Sequence, residues 1–185
     1  MPEQNRVVIA VDPGLTGAFV ALHLDTKDIV FLDMPTYRIE SKKKGGKGKN
    51  ELDVQGIKLW CDDQFADATD KHAVVEIQQT MPKEVRGRTQ GIVSSGVIMK
   101  NYGILIGLFQ GMGIPLELVH PRSWKSTVMR DMGTEKSASI VKAKQLVPRV
   151  ADQLSRVKDH ARADALLIGI YAVRHRGVLA ESPMF

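Results

Sequence analysis

An aspartate at the end of an apolar run is the first residue in this chain that could do chemistry. The stretch VVIAVDPGLTGAFVAL, residues 7–22, has two apolar runs around a turn marked by Pro-Gly and Thr-Gly, and Asp12 follows the first run. This pattern predicts strand, tight turn, strand. Because aspartates at turns often accept hydrogen bonds from nearby backbone groups, Asp12 is either a turn residue or part of a site.

A glutamate ends a second apolar run in the same way. Glu76 lies in AVVEI, residues 73–77. Charged side chains are rarely buried without a partner or a metal, and acidic residues at the ends of adjacent strands converge on the crevice where such sheets bind ligands. The alternative interpretation of Glu76 is a solvent-facing strand end.

A histidine and an aspartate share one face of the last predicted helix, KDHARADALLIGIYA, residues 158–172. At about 100° per residue, His160 and Asp164 lie within about 40° of each other on the helix surface. Asp159 points about 140° away from Asp164 and is predicted to be the N-cap. The alternative is an exposed pair on a helix that also carries Arg162.

Carboxylates and an imidazole gathered in one crevice suit hard divalent cations. Mg²⁺ and Mn²⁺ prefer oxygen ligands and retain waters for a substrate phosphate. Two such ions about 3.5–4 Å apart activate a water and stabilise the leaving oxygen of a phosphodiester. The candidate catalytic and metal-binding residues are therefore Asp12, Glu76, His160 and Asp164, and the chemistry they indicate is phosphodiester hydrolysis.

The excess positive charge of the chain lies in one segment. The formal net charge is +5, and residues 38–50, RIESKKKGGKGKN, hold six basic residues against one acidic residue. A run so rich in Gly and Lys predicts a mobile loop, because it buries too little apolar surface to fold alone. It is either a solubilising loop or an electrostatic clamp on a polyanion. The candidate contacts to a polyanion here are Lys42, Lys43, Lys44, Lys47 and Lys49.

Length and composition predict one α/β domain over residues 1–185 with an ordinary soluble composition of 43% hydrophobic and 25% charged residues. The single cysteine, Cys61, excludes an internal disulfide framework and favours a reducing, cytoplasmic location. The N-terminal residues run straight into the first strand, which argues against a signal peptide. Residues 91–113 are long enough to cross a bilayer, but Lys100, Asn101 and Gln110 favour a soluble helix and no membrane partner.

The elements that must position the candidate residues follow from hydrophobic periodicity. Three short strands at 7–11, 18–24 and 29–34 predict an antiparallel meander. Helices are predicted at about 52–65, 91–111, 121–129 and 135–146, with a last helix from about 159, and strands at 72–77 and 115–119. Strands followed by alternating helices and strands predict a mixed central sheet flanked by helices.

Three motifs, taken in order, resemble the RuvC-type Holliday junction resolvases of the RNase H-like superfamily. They are VIAVDPGLTGA at 8–18, AVVEIQ at 73–78 and DHARADALLIGIY at 159–171, and residues 115–148 are also similar to a segment of phage and bacterial members. The resemblance covers residues 7–174. It implies an RNase H-like fold and a homodimer that uses two Mg²⁺ or Mn²⁺ ions to nick two opposing strands of a four-way DNA junction, leaving 5′-phosphate and 3′-hydroxyl ends.

The resemblance assigns roles by position. Asp12 would be the central metal ligand, Glu76 the second and Asp164 the last. Many members place another ligand three residues before that last one, where this chain has Ala161. His160 or Asp159 would take the fourth position instead.

The same resemblance makes the five lysines of the basic segment candidate DNA contacts and suggests others outside that segment. Arg86 and Arg88 follow Glu76 where the junction-probing loop of the family lies, with plain surface charge as the alternative. Lys100 and Lys125 are weaker DNA-contact candidates, and Trp124 is predicted to pack in the core. A glycine ridge at intervals of four is either a dimer contact or a packing surface on the sheet: Gly103, Gly107 and Gly111.

Two other functions are compatible with these residues. Actin-like and sugar-kinase-like ATPases also begin with Asp-x-Gly-x-Thr-Gly, but they usually need two such domains, for which this chain is short. A branched-DNA-binding protein without catalysis is the second alternative. A thermal shift with ATP would favour the first, and absence of metal-dependent nicking would favour the second.

Overall fold

The sheet of this protein has five strands, seen in a computed structural model that describes residues 4–43, 45–80, 91–133, 135 and 137–179. Strands β1 (Arg6–Asp12), β2 (Ala18–His23) and β3 (Ile29–Asp33) form an antiparallel meander. Strands β6 (Asp70–Glu76) and β7 (Leu116–Val119) continue the sheet in parallel on the other side of β1. The order β3-β2-β1-β6-β7 places β1 at the centre, and the predicted mixed sheet is confirmed.

Helices cover both faces of the sheet because the side chains of a strand alternate between its faces. Val7, Ile9 and Val11 of β1 belong to one apolar cluster, together with residues of the first two helices. Val8 and Ala10 belong to the second cluster, with residues of the last three helices. In chain order the helices are α1 (Val54–Gln64), α2 (Ile92–Gly111), α3 (Pro121–Val128), α4 (Ala138–Leu146) and α5 (His160–Arg176).

Helix α5 lies unusually close to the sheet. A Cβ atom placed on Gly169 would be 2.7 Å from Leu22 Cδ1 and 3.2 Å from Ala10 Cβ. Only glycine allows this approach without a shift of its neighbours. The contact fixes the position of α5 relative to β1, and therefore of any side chain near its N-terminus relative to the end of β1.

The basic segment is a hairpin rather than a loop throughout. Strands β4 (Thr36–Ile39) and β5 (Lys49–Leu52) pair antiparallel, with Arg38 opposite Asn50 and Ile39 opposite Lys49. The predicted loop over 38–50 is therefore wrong at both ends. Buried Leu52 anchors β5, and the pairing ladder uses backbone groups, which composition does not reveal.

Candidate active site

Asp12 and Glu76 end neighbouring parallel strands. Asp12 is the last residue of β1 and Glu76 the last of β6, and each lies one residue beyond the paired residues Val11 and Val75. Parallel neighbours end at the same edge of a sheet, so both carboxylates lie at that edge. The predicted proximity of these two residues is thus what the topology produces.

A buried tryptophan holds the Glu76 carboxylate. Trp124 of α3 is fully buried, and its indole Nε1–H donates to Glu76 Oε1 at 2.8 Å. Gln78 Nε2 donates to the other oxygen at 3.3 Å. Glu76 is itself only 8% exposed, and this burial raises its pKa, against the lowering effect of the Trp124 hydrogen bond. Trp124 packs in the core as predicted, and the bond to Glu76 adds a positioning role that its sequence context did not indicate.

Helix α5 brings His160 and Asp164 to the same place. Both side chains line a cavity of about 470 Å³, which Lys125 and Ser139 also line. The Ser139 hydroxyl hydrogen-bonds the Asp164 carboxylate, and burial raises the pKa of Asp164 above its ordinary value. His160 Nδ1 is buried and has no hydrogen-bond partner among the described residues. The two side chains are thus presented together one helical turn apart.

Asp159 is occupied elsewhere. Its carboxylate accepts from the backbone N–H of Arg156 at 2.8 Å and pairs with the Arg156 guanidinium at 2.7 Å. It stands at the N-cap position of α5, but its side chain makes no capping hydrogen bond there. Of the two residues considered for the fourth position, His160 therefore has the free nitrogen.

The carboxylates repel one another. The pKa of Asp12 is raised to about 8, first by burial and then by the charges of Asp164 and Glu76. The ammonium of Lys125 opposes this rise at all three carboxylates. Sequence reasoning treated Lys125 only as a weak DNA contact, because nothing in the chain signals that α3 lies beside the ends of β1 and β6.

The donor set fits a divalent cation. Three carboxylates with raised pKa values, and an imidazole nitrogen with no partner among the described residues, offer the ligands that Mg²⁺ and Mn²⁺ use. A cation would also offset the repulsion among the carboxylates. In the part of the chain that the structure describes, no three His, Cys, Asp or Glu side chains lie close enough together to bind one metal ion. Binding would therefore have to draw the carboxylates together.

The raised pKa of Asp12 predicts a pH-dependent stability in metal-free protein. A carboxyl whose pKa is about 8 when folded and 3.8 in its ordinary state binds its proton more tightly in the folded state, so it lowers stability progressively as pH rises from about 4 to 8. Asp12→Asn removes this penalty. In thermal unfolding with EDTA, we expect the variant to have a higher melting temperature than wild type at pH 8. This difference in melting temperature should be at least about 4 °C larger at pH 8 than at pH 5. If the gain in melting temperature became smaller as the pH rises, the burial and charge repulsion assigned to the Asp12 carboxylate would be contradicted.

The basic residues divide into paired and exposed groups. Lys49 pairs with Glu51 at 2.6 Å, and Lys100 of α2 reaches the same carboxylate at 3.2 Å. Lys42, Lys43 and Lys47 are exposed at the tip of the hairpin. The other predicted DNA contacts lie outside the described residues: Lys44, Arg86 and Arg88.

Comparisons with known proteins agree with this architecture. No family model matches the chain. A curated relative, the chloroplastic Holliday junction resolvase MOC1 of Chlamydomonas reinhardtii, is 27% identical over 154 residues, which are 76% of this chain and 17% of the relative. This chain thus spans about a sixth of the length of that relative.

The solved structures give the fold. Thermus thermophilus RuvC superposes with a TM-score of 0.51 at 15% identity, covering 93% of this chain and 97% of RuvC. RuvC from T. thermophilus in complex with a Holliday junction substrate gives a TM-score of 0.50 at 14% identity, covering 92% and 96%. The chain therefore has the RNase H-like fold of RuvC, and the resemblance to RuvC-type Holliday junction resolvases drawn from its motifs is confirmed.

Proposed function

We propose that this chain is a divalent-metal-dependent endonuclease that hydrolyses phosphodiester bonds in four-way DNA junctions. The observation that carries the proposal is the position of Asp12 and Glu76 at the ends of adjacent parallel strands, with Asp164 of α5 near enough for its charge to raise the pKa of Asp12. Burial raises the pKa of all three carboxyl groups, and the charges of Asp164 and Glu76 raise that of Asp12 further. Such an arrangement is costly to fold, so its presence favours a functional cause.

Asp12, Glu76, His160 and Asp164 would hold the Mg²⁺ or Mn²⁺ ions, two per site. Bound there, the ions would supply an activated water and neutralise charge on the leaving oxygen. The chain's own residues position this set: Trp124 fixes one oxygen of Glu76. Nδ1 of His160, which has no hydrogen-bond partner among the described residues, can serve as a ligand.

The surrounding groups prepare the site for a phosphate. The Ser139 hydroxyl holds Asp164, and Lys125 lines the same cavity as both. An ammonium beside the carboxylates offsets part of their negative charge and so lowers the electrostatic barrier to a phosphodiester. Lys125 can also contact a nonbridging oxygen of that phosphate.

The choice of substrate rests on charge and on the relatives. The hairpin of β4 and β5 presents Lys42, Lys43 and Lys47 to solvent, which suits a polyanion. The curated relative is named a Holliday junction resolvase, and one of the RuvC structures contains a Holliday junction substrate. Four-way DNA is therefore the proposed substrate.

Removing the hairpin charges should weaken binding without altering chemistry. In Lys42→Gln/Lys43→Gln/Lys47→Gln, we expect junction affinity to fall about tenfold or more near physiological salt. The slope of log affinity against log salt concentration should become shallower by up to about 3. The measurement is a salt titration of binding to a labelled junction. The matched control replaces three lysines outside the hairpin, Lys27, Lys58 and Lys144. Equal losses in both triple variants would show that only net charge matters.

We also propose that α2 forms a homodimer contact. By length and composition α2 is the one helix in the described ranges that could cross a bilayer, and only 22% of that apolar window is buried. Ile92, Val93 and Met99 are exposed on it. The ridge of Gly103, Gly107 and Gly111 has open space where each Cβ would lie, so it does not pack on the sheet of its own chain. A second copy would cover this apolar face.

A bulky residue on the ridge tests the contact. Because a Cβ at Gly107 meets nothing within 4 Å, Gly107→Arg should leave the monomer folded and block close approach of a partner. We expect wild type to sediment at twice its chain mass of 20.4 kDa, and Gly107→Arg as a monomer. Gln55→Arg, at an exposed position of α1, is the control. A dimeric variant would refute the contact, and wild type that binds lipid vesicles would point to a membrane instead.

Cleavage of labelled substrates tests the function itself. With Mg²⁺, wild type should cut a four-way junction much faster than a three-way junction, a linear duplex or an RNA–DNA hybrid, and EDTA should stop the reaction. Tight junction binding without cutting in Mg²⁺ or Mn²⁺ would make this a binding protein. A thermal shift with ATP and none with the junction would favour the ATPase alternative.

A further inference from the structure

A groove of about 350 Å³ lies between the hairpin of β4 and β5 and the first half of α2. Leu15, in the turn that follows Asp12, lines one part of it. The polar side chains that line it come from β5 and α2: Lys49, Asn50, Glu51, Lys100 and Asn101. The groove therefore adjoins both the basic hairpin and the turn at the end of β1.

The groove holds a carboxylate between two ammonium groups. Lys49 Nζ lies 2.6 Å from Glu51 Oε1, and Lys100 Nζ lies 3.2 Å from Glu51 Oε2. The side chain of Glu51 is 21% exposed, whereas those of Lys49 and Lys100 are 67% and 46% exposed. Hydrogen bonds from the two lysines hold the pKa of Glu51 below its ordinary value, so this carboxylate is charged at neutral pH. Two cations from different elements thus converge on one oxyanion.

A buried amide in the same groove lacks a partner. Asn101 is 4% exposed, and its Oδ1 makes no hydrogen bond with any residue that the structure describes. A buried amide oxygen without a partner is costly unless a polar ligand, or the water that it carries, reaches the oxygen. This amide indicates that the groove takes a polar, hydrated ligand.

A backbone phosphate of DNA has the chemistry that this groove recognises. Like the Glu51 carboxylate, a phosphate carries negative charge and presents oxygens that accept hydrogen bonds from two ammonium groups. The groove begins at Lys49, two residues after Lys47 of the hairpin tip. A DNA strand that the hairpin tip binds therefore passes close to the groove.

We infer that this groove is a binding site for a backbone phosphate, and that Glu51 occupies the site in the free protein. A phosphate must displace Glu51 from Lys49 and Lys100, so the new contacts are offset by the loss of the old ones. Glu51 thereby limits the affinity of the protein for DNA. The inference rests on the proposed function, since it takes DNA as the ligand.

A double-mutant cycle tests the site. Binding of a labelled four-way junction and of a labelled linear duplex is measured with EDTA present. Glu51→Gln should bind both at least about fivefold more tightly than wild type, because two lysines are freed. The slope of log affinity against log salt concentration should become steeper by up to about 2. Lys100→Gln should weaken binding less than about twofold in wild type, but at least about fivefold in the Glu51→Gln background.

Asp62→Asn is the matched control for the change in charge. Asp62 lies on α1 and pairs with one lysine, Lys58, at 2.5 Å. Its loss should raise affinity less than about twofold. Because surface ion pairs contribute little to stability, both variants should have melting temperatures close to that of wild type. Equal gains in the two variants would mean that only net charge matters and would overturn the site.

Two other results would also overturn it. If Glu51→Gln bound DNA more weakly than wild type, Glu51 would serve only to hold the hairpin against α2. If the effects of Glu51→Gln and Lys100→Gln were additive, the carboxylate would not compete with DNA for Lys100.

Cleavage in Mg²⁺ separates this inference from the proposed function. If no junction is cut but the cycle is non-additive as expected, the nuclease proposal fails and the phosphate site stands. If junctions are cut while Glu51→Gln binds no more tightly than wild type, the phosphate site fails and the nuclease proposal stands.

Discussion

Asp12→Asn will lose junction cleavage by roughly a thousandfold or more while it keeps full junction affinity. Asp12 interacts with both of the other carboxylates, so no other residue of the set can replace its charge at the centre. Asparagine has nearly the same shape, and the bond between Trp124 and Glu76 does not involve Asp12. The geometry around the site is therefore kept while the central anion is removed. Single-turnover cleavage with Mg²⁺, beside a binding titration, measures both effects.

Asp152→Asn is the matched control for this change. Asp152 is exposed on the short 3-10 helix Pro148–Leu154, and its loss removes the same charge from the protein without touching the sheet edge. This variant should cleave as wild type does. If Asp12→Asn cleaved within tenfold of wild type, Asp12 would be a turn residue and no part of the site.

Gly17→Ala should damage both stability and activity, because it opens the turn that follows Asp12. A Cβ at Gly17 would lie 2.0 Å from the carbonyl oxygen of Asp12, a distance no real Cβ occupies. The turn is closed by the Gly17 N–H bonded to the Gly14 carbonyl at 3.1 Å and by the Met34 N–H bonded to the Gly17 carbonyl at 3.0 Å. The backbone of Asp12 itself would have to move.

We expect Gly17→Ala to cost about 1–3 kcal/mol in the free energy of unfolding, to lower the melting temperature by about 3–10 °C, and to reduce cleavage at least tenfold. Gly14→Ala is the matched control in the same turn. The nearest atom to its added Cβ is 4.0 Å away, which is ordinary contact. Thermal unfolding and the junction assay compare the two. Equal behaviour of both variants would show that the turn does not position Asp12.

The strands that carry Asp12 and Glu76 could be predicted because each has a local signal. Apolar runs bounded by turn residues mark β1, β2 and β6, and the fixed period of α5 places His160 and Asp164 on one face. These patterns depend on residues that are neighbours in the chain. Local spacing therefore predicted the strands and the helix that carry these side chains.

The support of the site could not be predicted in this way. Trp124 reaches Glu76 from 48 residues away, and Ser139 and Lys125 reach the carboxylates from α4 and α3. Such contacts depend on how helices pack across the sheet. The pairing of Asp159 with Arg156 was also missed, since the N-cap role and an ion pair compete for the same carboxylate.

The hairpin of β4 and β5 shows a different limit. Its sequence is dominated by Gly and Lys and has no alternation of apolar residues, so composition favours a mobile loop. The pairing instead depends on backbone hydrogen bonds between Thr36–Ile39 and Lys49–Leu52, with Leu52 buried. Neither feature leaves a periodic signal in the sequence.

The most direct test of the central claim maps where the strands are cut. A four-way junction is labelled on each of its four strands in turn and treated with wild type or Asp12→Asn in Mg²⁺. We predict nicks at symmetric positions in two opposing strands with wild type, and none with Asp12→Asn. Nicks that persist in Asp12→Asn, that fall on all four strands alike, or that are equally frequent in a linear duplex would contradict a metal-dependent junction endonuclease centred on Asp12.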